Sequence, residues 1–371
     1  MRLRPLATIY PYSKDDVQFF RYADLIKEFK PTYPVAPPGW SSSGLDATVI
    51  DAGTACGYKI SSDLESALAQ SQVLVLTSFN EYHGQKGNFA ETLDLALQKD
   101  LQLIILDPPK NFTQDYLPKL KNSHLKYQIY PTKQVSYLET LTCQKFDVPV
   151  VLVFGEGPQT DKFEVQLGLR DELLKKDYQI TQIASRNYAE IFGFHSFPDF
   201  MHSKEFSETE KILKFNGYLK ILEKNENPDL IIVSVPGGMV PITEDVHNNF
   251  GILLLEVATA IQPDFVINTL YNFKYINEFY PQKARYNQGK LNAELCCFVL
   301  SNTWLDLINI RSYKEFCATK LRQQKTESFE VVDPQTKTIC PVVSLSEPNA
   351  ASLMADYLLE KLETNAAVNF I

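Results

Sequence analysis

Residues 151–177 read VLVFGEGPQTDKFEVQLGLRDELLKKD: a β-branched apolar run, a Gly-rich turn holding one lysine, Lys162, and then an amphipathic helix. A strand that turns through glycines straight into a helix leaves few folds open. It is the layout of a phosphate-binding loop, in which backbone N–H groups at a helix N-terminus face an anion. The most diagnostic positions are altered. A regular loop has Gly just before the lysine and Ser or Thr just after it, to cradle phosphates and hold Mg²⁺. Here Asp161 precedes Lys162 and Phe163 follows. The expectation is a nucleotide-binding frame stripped of its magnesium equipment.

Two readings of GEGPQTDKF stay open. In the first, Gly155 and Gly157 let the backbone bend close to a ligand, Thr160 and the neighbouring N–H groups face an anion, and Lys162 adds a point charge. Against it, Asp161 puts a carboxylate where phosphate oxygens would lie. In the second, Asp161 caps the helix, Glu164 completes an acidic capping box, and the lysine is solvated. The acid that would hold Mg²⁺ is expected at the end of a neighbouring strand. The candidate strand Leu230–Val235 ends instead in Ser234-Val235-Pro236-Gly237-Gly238, a turn that can approach a ligand closely or simply end the strand.

The chain has 371 residues, more than one hydrophobic core usually serves, so two domains are expected, divided at 145/146. With 44% hydrophobic residues, 23 Phe and 19 Tyr there is material for two cores, and disorder is excluded. A net charge of −9 argues against a nucleic-acid partner, which needs a basic face. No apolar run approaches the ~18 residues that span a bilayer, so no membrane partner is expected either. The start, MRLRPLATIY, lacks a signal-peptide cleavage pattern. The six cysteines show no CxxC spacing and the five histidines no HxxxH, so no metal site is expected and a reducing cytoplasm is the expected location.

The expected class is α/β: a Rossmann-like or flavodoxin-like domain over 1–145, then a parallel-sheet domain like that of P-loop NTPases over 146–371 with a C-terminal extension. In the first, strands are expected at Leu6–Tyr10, after Pro31, at Ala47–Ile50, Val73–Thr77 and Leu101–Leu106, and helices over about Asp15–Phe29 and Phe89–Gln98. A Ser62-x-x-Glu65 capping box opens a further helix. In the second, strands are expected at Val150–Phe154, Tyr178–Ala184, Leu230–Val235 and Phe265–Asn268, with extended pieces near Phe329–Val332 and Cys340–Leu345. Helices carry Val165, Leu169 and Leu173 on one face, follow the Ser207-x-x-Glu210 box, and run over Asn249–Ala260 and Ala350–Leu362. No GxGxxG follows any strand and no GxSxG appears, so neither a dinucleotide fingerprint nor a serine-hydrolase elbow is present.

After the strand at 178–184, SRNYAEIFGFHSFPDFMHS is dense in aromatics. It lies at a strand C-terminus, where α/β folds bind ligands. One reading makes Arg186 an anion clamp and His195 a proton donor or ligand contact, under a cover built from 192–200. The other makes Phe192, Phe194, Phe197 and Phe200 a buried cluster and leaves the histidines to local backbone. Glu81-Tyr82-His83-Gly84, after the strand at 73–77, is read either as a loop at an interdomain cleft or, as such a group more often is, as a solvated loop.

Gly155 followed seven positions later by Lys162 resembles the dethiobiotin-synthetase type of P-loop, with Asp161 departing from it. A bacterial two-domain family of unknown function pairs a Rossmann-like half with such a P-loop half, a similar division. More narrowly, GEGPQTDKFEVQLGLRDEL, FGFHSFPDFM, PDLIIVSVPGG and APPGW resemble the peptide maturation system proteins encoded beside Cys-rich ribosomal peptides and their radical SAM maturases. That resemblance covers nearly the whole chain. It implies an accessory role in maturing a bacteriocin-like peptide, with the precursor peptide or the radical SAM maturase as partner, and it marks Gly155, Lys162 and the turn at 236–238. ATP or GTP is the nucleotide expected if one binds, with little or no hydrolysis. An active ATP-dependent ligase or amidotransferase-like enzyme and a non-catalytic peptide-binding scaffold are the alternatives.

Overall fold

A computed structural model describes residues 3–40, 42–51, 53–78, 89–109, 111–130, 135–320 and 326–368, without the side chains of 365–368. The chain divides into two compact units, Met1–Lys133 with Asn187–Gly193, and Gln134–Arg186 with Phe194–Ile371. The division thus falls earlier than 145/146, because 135–149 already packs on the second unit. Asn216 accepts a hydrogen bond from Gln144 N and donates one to Gln144 O. A Cβ on Gly217 would stand 2.2 Å from the Leu138 carbonyl oxygen.

The first unit runs β1 (Leu6–Tyr10), α1 (Gln18–Arg21), β2 (Lys30–Pro34), α2 (Leu64–Ala69), β3 (Val73–Ser78), α3 (Phe89–Gln98), β4 (Gln102–Asp107), α4 (Phe112–Asp115), α5 (Leu117–Lys121) and β5 (Tyr127–Ile129). Its strands are all parallel in the order β2-β1-β3-β4-β5, the flavodoxin-like arrangement. Asn187–Gly193 belongs here: the Tyr188 and Phe192 rings lie 5.9 and 5.3 Å from Phe19.

Three local expectations fail in this unit. The helix over 15–29 shrinks to α1 and a 3₁₀ turn, Ala23–Leu25. Tyr22 (φ −116°, ψ 36°) leaves the helical region, and Phe19 and Phe20 before it and Ile26 and Phe29 after it all become buried. Residues 47–50 are not a strand, since the Asp46 carboxylate collects the N–H groups of Thr48, Cys56 and Gly57 and winds the chain into turns. Helix α2 is capped by Asp63, which accepts from Ser66 N at 3.0 Å, rather than by Ser62. The Glu81–Gly84 loop lies outside the described residues.

The second unit comprises β6 (Val150–Gly155), α6 (Lys162–Lys175), β7 (Ile180–Ala184), β8 (His195–Ser196), α7 (Glu208–Glu226), β9 (Leu230–Ser234), α8 (Ile252–Ile261), β10 (Phe265–Leu270), α9 (Phe279–Leu291), β11 (Glu294–Leu300), β12 (Thr303–Leu305), α10 (Leu307–Tyr313), β13 (Ala318–Lys320), β14 (Phe329–Val332), β15 (Ile339–Ser344) and α11 (Ala350–Val368). Its large sheet has the order β14-β15-β11-β10-β6-β9-β7-β8, parallel except for β14 against β15; β12 and β13 form a separate antiparallel pair. All six residues of β6 are buried, as a continuous apolar run requires when helices cover both faces.

On one face Phe154, Ile231 and Val233 pack with Phe215 and Leu219 of α7 and Val257 of α8. On the other, Val151, Val153 and Ile232 meet Val165, Leu169 and Leu173 of α6 and Met354 and Leu358 of α11. The Ser207–Glu210 capping box forms with both of its hydrogen bonds. The arrangement puts β6 between β10 and β9, with its C-terminal end turning into α6.

Candidate functional site: the loop between β6 and α6

The loop is bent by residues other than glycine. Gln159 and Asp161 hold φ of 55° and 57°, the left-handed region that L-residues seldom enter and that Asp tolerates better than most. Asp161 thereby occupies, as backbone, the place where a regular loop has glycine. A helix-capping side chain needs an extended backbone to reach back over the first turn. The left-handed turn at Asp161 denies it that, and Asp161 makes no cap hydrogen bond. Its Oδ2 instead accepts from Asn302 N (2.9 Å) and Thr303 Oγ1 (3.4 Å), and its Oδ1 lies 3.3 Å from Lys320 Nζ. Both expectations for this side chain, an acidic capping box and a carboxylate in the phosphate hollow, are therefore corrected.

Lys162 is not solvated. Its side chain is 6% exposed and folds back beneath the loop, its Nζ donating to Gly237 O at 2.6 Å and Gly157 O at 3.2 Å. Burial, and then the Arg186 charge, push the ammonium down to about 7, with Asp161 partly opposing them. Lys162 thus ties the loop to the turn after β9. Met239 N bonds to Gly155 O and Glu156 O, Val240 N to Glu156 O, and Asn248 Oδ1 accepts from Gly238 N.

The glycines serve this closeness. A Cβ on Gly155 would lie 2.1 Å from Thr160 Oγ1, one on Gly157 2.2 Å from Tyr271 Oη, and one on Gly238 2.2 Å from Gly157 Cα. Gly237 takes φ of 78°. The space that the sequence reading assigned to a ligand is taken here by the loop's own packing. Thr160, fully buried, donates to Gly157 O and accepts from Thr269 Oγ1 at 2.6 Å, while Tyr271 Oη donates to Pro158 O at 2.7 Å.

Gly155, Gly157, Thr160, Lys162, Gly237 and Gly238 are thus brought together, and Arg186, just beyond β7, acts on Lys162 electrostatically. His195 is placed elsewhere. It is in register with Ile183, which faces α7, and its Nε2 lies 2.6 Å from Glu226 Oε1, with Tyr218 edge-on to the ring. The aromatic segment reaches the loop only at its end. Phe194 packs on Phe163, Phe197 on Phe215, and Phe200 on Tyr137, while Phe192 belongs to the first unit.

Sequence reasoning missed Thr269, Tyr271, Asn248 and two lysines, Lys283 and Lys320. Thr269 on β10 is in register with Gly155 and Tyr271 follows the end of that strand, a neighbourhood that only sheet order reveals. β9 ends in Ser234, whose buried Oγ has no hydrogen-bond partner among the described residues. Among the described residues no group of three or more His, Cys, Asp and Glu is placed to hold a metal ion. The loop has no hydroxyl just after the lysine and β9 ends without a carboxylate, the two groups that would hold Mg²⁺.

No protein-family model matches the sequence, and no curated protein matches it. A DUF1611 family protein from Anabaena variabilis superposes with a TM-score of 0.54 over 83% of this chain and 91% of that one, at 12% identity. That likeness shows the fold: an α/β chain built on parallel sheets. A pseudomurein peptide ligase type C from Methanothermus fervidus aligns over 96% of this chain and 68% of its own at 10% identity, with a TM-score of 0.27, too loose to bear on fold or function. Among the described residues no helix is long and apolar enough to cross a membrane.

Proposed function

We propose that the 155–162 loop, with the turn at 237–238, binds the phosphate portion of a ligand, ATP or GTP being the first candidates, without magnesium-dependent hydrolysis. The protein would act as an accessory component of a ribosomal-peptide maturation system in the cytoplasm. One observation carries the binding half: a buried ammonium held by two backbone carbonyls at the C-terminal edge of a parallel sheet, with no carboxylate hydrogen-bonded to it among the described residues. Such an ammonium is desolvated and gains from an incoming anion. Phosphate oxygens would replace Gly157 O and Gly237 O as its partners, so ligand entry requires the 237–240 turn to lift from the loop. In this reading Arg186, whose charge acts on Lys162, would share the anion, and His195, 2.6 Å from Glu226, would not.

The peptide-maturation half is supported by the sequence resemblance alone, with the precursor peptide and the radical SAM maturase as the partners to test. A nucleotide at a hundred times its dissociation constant should stabilise the fold by about 2.7 kcal/mol. Thermal unfolding with ATP and with GTP, each with and without Mg²⁺, measures this. Equal shifts in both conditions agree with the proposal, and no shift with either nucleotide removes it. An ATP-dependent ligase or amidotransferase-like enzyme would instead turn nucleotide over and lose that turnover in Lys162→Ala. A pure scaffold would retain a Cys-rich precursor equally well in that variant.

A further inference from the structure

We propose that Lys283 and Lys320 are positioning residues of this loop: each cancels one of its two carboxylates, Glu156 and Asp161, so that an oxyanion meets Lys162 without their opposing charge. The proposal rests on the anion-binding reading above and names what makes it electrostatically tenable. GEGPQTDK carries two acids and one base; taken alone, that composition repels phosphate. In the folded chain Glu156 Oε1 lies 3.0 Å from Lys283 Nζ on α9, the two side chains 20% and 10% exposed. Asp161, 8% exposed, is held by Lys320 on β13, itself 20% exposed, and by Asn302 N and Thr303.

Both lysines come from elements more than a hundred residues further along the chain, and each reaches a loop acid with little solvent between them. A charge at such a site is weakly screened, and one left uncancelled a few ångströms from a bound anion changes its affinity by about tenfold or more. Among the described residues Arg186 disfavours the ammonium form of Lys162 and Asp161 favours it. With both loop acids paired, the buried Lys162 ammonium suits a polyanionic oxyanion such as pyrophosphate, taken without a metal.

The test uses the full chain, inorganic pyrophosphate, and two readouts. Calorimetric titration at pH 6, where Lys162 is charged, gives affinity; NMR titration of the Lys162 side chain gives its protonation midpoint without any ligand. Lys320→Gln and Lys283→Gln should each weaken pyrophosphate about tenfold, and Lys320→Gln should move the Lys162 midpoint up from about 7. Lys320→Arg should match the wild type. The paired changes Asp161→Asn/Lys320→Gln and Glu156→Gln/Lys283→Gln should restore affinity, which a merely structural ion pair would not do. Asp161→Asn alone, which keeps the hairpin lysine, should shift the midpoint down and tighten binding.

If the wild type binds no pyrophosphate, the anion-site reading fails, and the Lys162 midpoint still decides the charge cancellation. A midpoint unmoved in both Lys320→Gln and Asp161→Asn overturns the proposal, as does unchanged affinity in the two single glutamine variants while the wild type binds.

Discussion

Each unit of this protein has a strand inside a parallel sheet that turns into a helix, and the two turns are filled differently. After β1 the chain runs through Pro11, Tyr12 and Ser13 with no glycine. Tyr12 is buried against Phe20 and donates to Ala47 O, Asp16 accepts from Ser13 N and Oγ, and Arg21 is paired with Asp51 at 2.6 Å. Aromatic rings and matched charges occupy that corner. After β6, glycines remove the side chains, two residues adopt left-handed backbone, and the group brought inside is an ammonium held by carbonyl oxygens. The same architecture becomes a candidate site only where side-chain volume has been cleared and a cation buried in its place.

The comparison breaks most visibly at the glycines. Gly238→Ala should cost about 3 kcal/mol or more in urea unfolding, because its Cβ would stand 2.2 Å from the Gly157 backbone as well as 2.5 Å from the Asn248 side chain, and the backbone cannot swing aside. Gly44→Ala in the first unit has φ of 86° but nothing within 4 Å, and should cost only about 1 kcal/mol of backbone strain. Equal costs would mean that the turn after β9 yields freely.

The next effect is a pH dependence. Lys162 has its folded pKa lowered to about 7 from 10.5, so between those values the unfolded state holds the extra proton. Its destabilising contribution is full below pH 7 and is relieved as pH rises toward 10.5, with a slope of at most about 1.4 kcal/mol per pH unit. Unfolding of wild type and Lys162→Met between pH 6 and 9 should show that slope in the first and not in the second. Smaller again, Tyr271→Phe removes the hydrogen bond to Pro158 O and should cost about 1 kcal/mol. Smallest is His195→Ala: its half-exposed pair with Glu226 contributes about 1 kcal/mol or less, and nucleotide shifts should be unchanged. A loss of those shifts would return His195 to the site.

Much of the frame was legible because long apolar runs and capping boxes are local signals. Leu6–Tyr10, Phe89–Gln98 and the Ser207 box are found where the sequence places them. β11, Glu294–Leu300, an interior strand, is not among the strands expected from the sequence. At the loop, the sequence shows the lysine and the glycines but not what they face. Asp161 looked hostile to an anion because its partner Lys320 is remote in the chain, and Glu156 is matched by Lys283 for the same reason. Long-range charge pairing has no local signature, and neither does the meeting of the turn at 237–238 with Gly157.

The most direct test of the account is calorimetric titration of ATP in EDTA into wild type and Lys162→Met. The account predicts saturable, metal-free binding to the wild type and none to the variant. Binding that appears only with Mg²⁺, or that survives the loss of Lys162, contradicts it.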